Sequence, residues 1–143
     1  MENNNTTDTK IDIESLRAFF QNDIFAMDQG IVIDDVTPTG ATCHLLLTAR
    51  HGNAAGVAQG GLVYTLADFT FAVAANGIHM GTVTLNSTIS YLRAGTGTSL
   101  TARAELVSTT RSICVYRVHV TDDRDNLCAE LTITGYRKPT PAK

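Results

Sequence analysis

Asp68 is the only acid in an apolar stretch that runs from Gly60 to Asn76, and two glycines, Gly60 and Gly61, open that stretch. Rich in Ala and Leu and free of proline, the stretch is predicted to be a helix. The start of a helix presents unpaired backbone N–H groups and the positive end of its dipole, both of which favour developing negative charge. With no Cβ at positions 60 and 61, a substrate carbonyl can come close to that backbone. The Gly60 N–H is therefore a candidate oxyanion donor, worth about 3 to 4 kcal/mol in a transition state. Burial beside Leu66 and Phe69 should raise the pKa of Asp68 unless hydrogen bonds hold its ionised form. A donor to polarise a carbonyl and a carboxylate to activate water, or to attack directly, together suit hydrolysis at an activated carbonyl.

The spacing of these residues sets a condition. Gly60 and Asp68 are eight positions apart, which on one helix means about 12 Å of rise and no common face. A single reacting carbon needs both groups within about 3 Å of its atoms. The site is thus expected to be composite, with Gly60 from one subunit and Asp68 from another. Two antiparallel helices about a two-fold axis would form it twice, so the mechanism requires a homodimer. The plainer readings are a structural acid at Asp68 and tight helix–strand packing at the glycine pair.

Other chemistries lack their residues. There is no GxSxG elbow, P-loop, CxxC or HExxH, and His44, His51, His79 and His119 share no ligand spacing, so no metal is expected. Gly95-Thr96-Gly97 starts like a dinucleotide fingerprint but continues to Leu100 and reads as a hairpin turn. A net charge of −3 leaves no basic footprint for nucleic acid. Polar residues interrupt the longest apolar run, which argues against a membrane span. Cys43, Cys114 and Cys128 are scattered and odd in number, and read as core or sheet residues of a reduced compartment. The polar N-terminus directs nothing out of the cytoplasm.

The 143 residues suit one domain. Residues 1–10 read as a disordered tail, 11–137 as the folded domain and 138–143 as a second tail. An amphipathic helix is predicted from Ile11, with Ile13, Leu16, Phe19 and Phe20 on one side. Strands follow at 31–36 and 41–48 around the Pro38-Thr39-Gly40 turn, then a loop over 50–58. The helix 60–76 is apolar on nearly every face, which marks it as buried, and Asn76-Gly77 reads as its stop. Four strands come next, at 82–91, 100–107, 112–121 and 127–136, joined by short turns and hence read as an antiparallel meander. An α+β fold, about six antiparallel strands wrapped around one long buried helix, dries all sides of that helix.

These residues resemble one known family. The stretch from Asn53 to Gly61, continuing to Leu66-Ala67-Asp68, is similar to the central motif of PaaI-like (phenylacetate-degradation type) hotdog-fold acyl-CoA thioesterases. In that motif an Asn, a Gly and then His-Gly-Gly precede a helix carrying Leu-Ala-Asp. Asp23-Ile24-Phe25-Ala26 with Gly30-Ile31 resembles the family's approach to its first strand, and Tyr91-Leu92-Arg93 its aromatic-Leu-Arg at the end of the third. One residue departs from the pattern: Gln59 stands where the family carries His, and an amide takes up no proton.

The resemblance implies hydrolysis of an acyl-CoA or aryl-CoA thioester, with no cofactor beyond the substrate's own coenzyme A. Asp68 would be base or nucleophile, Gly60 the oxyanion donor, Asn53 a second ligand for the carbonyl and Thr84 the residue that positions water. Gln59 and Gly61 would support the substrate, and Arg93 and Arg111 would meet the CoA phosphates. Asn53 also suits an Asx turn, Thr84 an ordinary strand, and the two arginines a solvated surface. A homotetramer built from dimers is expected, in the cytoplasm, with no nucleic-acid or membrane partner. The alternative is a hotdog protein that binds or senses acyl-CoA without turnover.

Overall fold

The computed structural model describes residues 11–139. The tail expected over residues 1–10 and the end of the one over 138–143 lie outside the described residues. Two short helices lead in. The first, α1 (Ile13–Phe20), is capped by Asp12, whose carboxylate accepts from the Glu14 and Ser15 N–H groups. Leu16 and Phe20 are buried, but Phe19 is 48% exposed and does not join them as the amphipathic pattern suggested. Arg17 ties α1 to the sheet through two bonds to the Ile33 carbonyl. The second, α2 (Ile24–Asp28), is capped by Asp23. It forms the approach to the first strand that the resemblance placed there, and only Ala26 of its five residues is buried.

Six strands follow the sequence pattern closely: β1 (Val32–Thr37), β2 (Gly40–Leu46), β3 (Thr82–Tyr91), β4 (Ser99–Thr109), β5 (Ile113–Asp122) and β6 (Leu127–Arg137). All neighbours are antiparallel, in the order β1-β2-β4-β5-β6-β3. This corrects the expected four-strand meander. Only β4, β5 and β6 meander, while β3 pairs with β6 and sits at the sheet's edge. Gly95-Thr96-Gly97 is therefore no hairpin turn but part of a crossover under one end of the sheet. The Gly95 carbonyl accepts from Ala58 N–H and the Thr98 carbonyl from Leu47 N–H.

The long helix α3 (Gly60–Ile78) lies on the sheet's inner face, against all six strands. By length and composition alone it could cross a membrane, and its place in the core accounts for that apolarity. Leu66, Ala67, Phe71, Val73 and Ala74 are fully buried against Leu45, Leu100, Val118, Leu131 and Ile133. Gly135 lets the helix approach: a Cβ there would lie 2.7 Å from Phe71 and 2.8 Å from Cys114. The three cysteines are free and buried, and burial pushes the Cys43 thiol up to about 12. Cys128 is the extra residue where the β5–β6 register slips at Val120/Thr121, and it is 1% exposed.

Asn76-Gly77 does not end the helix, which continues to Ile78 with His79 as C-cap. Gly77 instead makes room for packing, since a Cβ there would lie 3.1 Å from Val36. Asn76 builds the turn into β3 with its side chain. Its Nδ2 donates to the Ala72 and Thr82 carbonyls, and its Oδ1 accepts from the Gly81 and Thr82 N–H groups. Every hydrogen-bonding position of this buried amide is filled. Asn76→Ala strands those backbone groups and is expected to cost about 3 kcal/mol. In a melt followed by circular dichroism the midpoint should then fall by about 6 to 12 °C.

Candidate active site

The start of α3 is built by its neighbours. Gln59 is the N-cap, and its Oε1 accepts from Leu62 N–H at 3.0 Å. The amide that stands in place of the family's His is thus committed to capping. Gly61 serves that cap, because a Cβ at 61 would fall 2.7 Å from the Gln59 Oε1. Gly60 differs: a Cβ there would meet only the Tyr91 ring at 3.5 Å, an ordinary contact. Packing within the chain does not require glycine at 60. The Gly60 and Gly61 N–H groups precede the first intrahelical bonds and stay available.

Asn53 forms the Asx turn: its Oδ1 accepts from Ala55 N–H at 2.9 Å and Val57 N–H at 3.2 Å. That turn leaves Nδ2 as its remaining donor. Asn53, Gly60, Val63, Tyr91 and Arg93 line one groove of about 350 Å³. Three residues singled out in the sequence therefore meet in one place.

Asp68 lies two turns along α3 and does not line that groove. Thr84 Oγ1 donates to its Oδ1 at 2.8 Å, across from β3. Burial pushes the Asp68 carboxyl above its ordinary range. The Thr84 bond pulls it back, and the negative charge of Asp23 on the α2 cap adds to the rise. Asp68 with Thr84, and Gly60 with Asn53, are thus two separate groups on one chain. Arg111 joins neither. It sits in the β4–β5 turn, and β4 with its 11 residues separates that turn from the groove by roughly 35 Å.

Some residues near the helix start were not legible as site residues. Tyr91, met in the sequence as the aromatic of the aromatic-Leu-Arg pattern, bonds the Gly60 carbonyl through its hydroxyl at 2.9 Å. His51 read as a plain loop residue, yet it is only 8% exposed. Its Nδ1 accepts from Thr48 N–H, which puts the proton on Nε2. With Phe25, Leu62 and Tyr64 it lines a second cavity of about 460 Å³ on the other side of the helix start. Phe69 and Phe71 are buried in the core.

The model of one protein family, described as the thioesterase superfamily, matches residues 55–129, more than half of the chain. The chain belongs to that superfamily. Escherichia coli acyl-coenzyme A thioesterase PaaI is 29% identical over 117 residues, 81% of this chain and 84% of that protein. The solved structure of E. coli PaaI superposes with a TM-score of 0.83, covering 88% of this chain and 92% of that one. A mutant structure of the phenylacetic acid degradation protein PaaI from Thermus thermophilus has a TM-score of 0.75 at 33% identity, covering 80% and 99%. A relative from Archaeoglobus fulgidus, provisionally named an esterase, is 31% identical over 98 residues. That alignment spans 68% of this chain and 64% of the relative's length.

This superfamily member is PaaI-like and has the hotdog fold, with six antiparallel strands around one helix. The matched segment includes Gln59, Gly60, Gly61 and Asp68. Gly60→Ala separates fold from function here. The φ of Gly60 is not left-handed, so alanine fits the backbone and gains up to about 1 kcal/mol of helix propensity. Its methyl would stand in the groove. The thermal midpoint is expected to hold or rise, while kcat/KM for an acyl-CoA drops about 10- to 100-fold. A melt and a steady-state assay on the same preparation check both.

Proposed function

We propose that the protein hydrolyses acyl-CoA or aryl-CoA thioesters at a site shared between two subunits. The observation that carries this reading is the pairing of a half-buried, pKa-raised Asp68 held by Thr84 with an unobstructed Gly60 N–H beside Asn53. The thioester carbonyl takes its hydrogen bonds from the Gly60 N–H and the Asn53 Nδ2 of one subunit. Asp68 of the other activates water held by Thr84, or attacks the carbonyl carbon itself to form a mixed anhydride that water then hydrolyses. The thiolate of coenzyme A leaves with a proton from solvent or from Asp68. Arg93, in the same groove as Gly60, meets the phosphates of the CoA arm. The apolar walls of Phe25, Leu62 and Tyr64 suit the acyl part.

The sheet supports the dimer. Strand β3 is a ten-residue edge without a charged side chain, and Leu85 on it is 63% exposed. Both edges are bulged, but the other edge, β1, is shorter and carries Asp34 and Asp35, features that discourage pairing. We therefore assign the two-fold contact to β3, with tetramers formed from such dimers. The buried reduced cysteines suit a cytoplasmic setting. A panel of acyl-CoAs of graded chain length, with benzoyl- and phenylacetyl-CoA added, tests the reading by release of free thiol. Tight binding of coenzyme A without turnover of any thioester would favour a binding or sensing protein instead.

A further inference from the structure

Tyr91 ends β3 and Gly60 begins α3, thirty-one positions earlier, yet the Tyr91 hydroxyl donates to the Gly60 carbonyl at 2.9 Å. Tyr91 is 54% exposed. Water would satisfy its hydroxyl equally well, so the bond is not forced by burial. Its consequence lies in the helix start. Two successive glycines give this turn the most backbone freedom of any residue pair, and glycine is the weakest helix former after proline. The Gln59 cap reaches only the Leu62 N–H. The peptide between Gly60 and Gly61 has no other side-chain tie among the described residues.

A group that polarises a carbonyl stabilises charge to the degree that it is already in place when charge develops. A donor on a fraying helix start loses that advantage. The Tyr91 bond fixes the Gly60–Gly61 peptide plane and with it the Gly61 N–H, and by restraining Gly60 it steadies the Gly60 N–H of the preceding peptide. The same strand fixes the carboxylate, because Thr84 on β3 bonds Asp68. One strand thus aligns both half-sites of its chain.

We infer that Tyr91 is a positioning residue, whose hydroxyl holds the N–H groups at the start of α3 in the orientation that stabilises the oxyanion. This rests on the hydrolysis proposed above. Its effect belongs to the transition state, because the ground-state carbonyl gains little from the same donors. The phenol touches the helix rather than the reacting atoms, and so differs in kind from Asp68.

Tyr91→Phe keeps the ring and removes the tie. With the best substrate of the panel, kcat is expected to fall about five- to twentyfold, the equivalent of one hydrogen bond. KM should stay within about twofold, as for an interaction made only in the transition state. The thermal midpoint should move by less than about 2 °C for an exposed side chain. Amide exchange at Gly61 and Leu62, followed by NMR on the full chain, should quicken. An unchanged kcat with unchanged exchange overturns the inference. So does a raised KM at constant kcat, which would make Tyr91 a substrate contact. Exchange needs no substrate. If wild type hydrolyses no thioester the proposed reaction fails, while unchanged or faster exchange in Tyr91→Phe still decides whether the tie holds the helix start.

Discussion

Asp68→Asn should abolish most of the activity and stabilise the protein. The amide is nearly isosteric with the carboxylate and can still accept from Thr84 Oγ1, so the local geometry survives. What is lost is the ability to take a proton or to attack a carbonyl. The expected fall in kcat is about 100- to 10,000-fold with KM little changed. Stability moves the other way. Burial raises the Asp68 pKa above its ordinary 3.8, with Thr84 opposing and Asp23 adding to the rise. A raised folded pKa means that the folded state binds the proton more tightly than the unfolded one. The stability this gives is fully present below the unfolded value and is lost as pH rises through the folded value. Around neutrality the half-buried charge is therefore a cost that asparagine removes. The variant should melt above wild type at pH 7 to 8, with the gap closing towards pH 4. The wild-type rate should fall as pH drops through the raised pKa, because only the ionised form works. A variant that is less active and also less stable at pH 7 would point to a structural acid instead.

Much of this was legible in the sequence, and the parts that were not share a cause. The buried helix announced itself because Leu62, Leu66, Phe69 and Val73 occupy one stripe while Val63, Ala67, Phe71 and Ala74 fill others. Strand β4 was equally plain, with Leu100, Ala102 and Ala104 buried against outward Thr101, Arg103 and Glu105. These patterns are local, and local periodicity follows from which side of an element stays dry. The partner of β3 was not legible. A seven-residue glycine-containing link to β4 suits a hairpin, yet β3 pairs with β6, a long-range partner that no local pattern encodes. Helix α2 was too short for any periodicity, and its start depends on the single cap at Asp23. His51 and Tyr91 were missed as site residues for the same reason. Each acquires its role from a neighbour that the fold supplies, a cavity wall for one and the Gly60 carbonyl for the other. Asp68 was found because its oddity is visible in one dimension, a lone acid in an apolar helix.

Two inactive variants should restore activity when mixed, and this follows from the separation of the half-sites. Gly60 and Asn53 line a groove that Asp68 does not reach, and two helical turns, about 12 Å, stand between Gly60 and Asp68 on α3. If each working site takes its donors from one chain and its carboxylate from the other, Asn53→Ala spoils the donor half and Asp68→Asn the carboxylate half. A homodimer of either variant has two broken sites. In a mixed dimer, the Asp68→Asn chain supplies intact donors and the Asn53→Ala chain an intact carboxylate, which rebuilds one site. The remaining site carries both defects. Random exchange of equal amounts makes half of the dimers mixed, so activity should return to about a quarter of wild type per chain. Co-expression with two affinity tags isolates the mixed dimer, which should reach about half. Recovery should be absent when the variants are mixed without subunit exchange, and absent for Asn53→Ala paired with an Asn53→Ala/Asp68→Asn double variant. A site contained in one chain gives no recovery under any mixing, because each chain then keeps its own defect. The experiment thus separates a shared site from a dimer in which two complete sites sit side by side, a distinction that a molar mass cannot make.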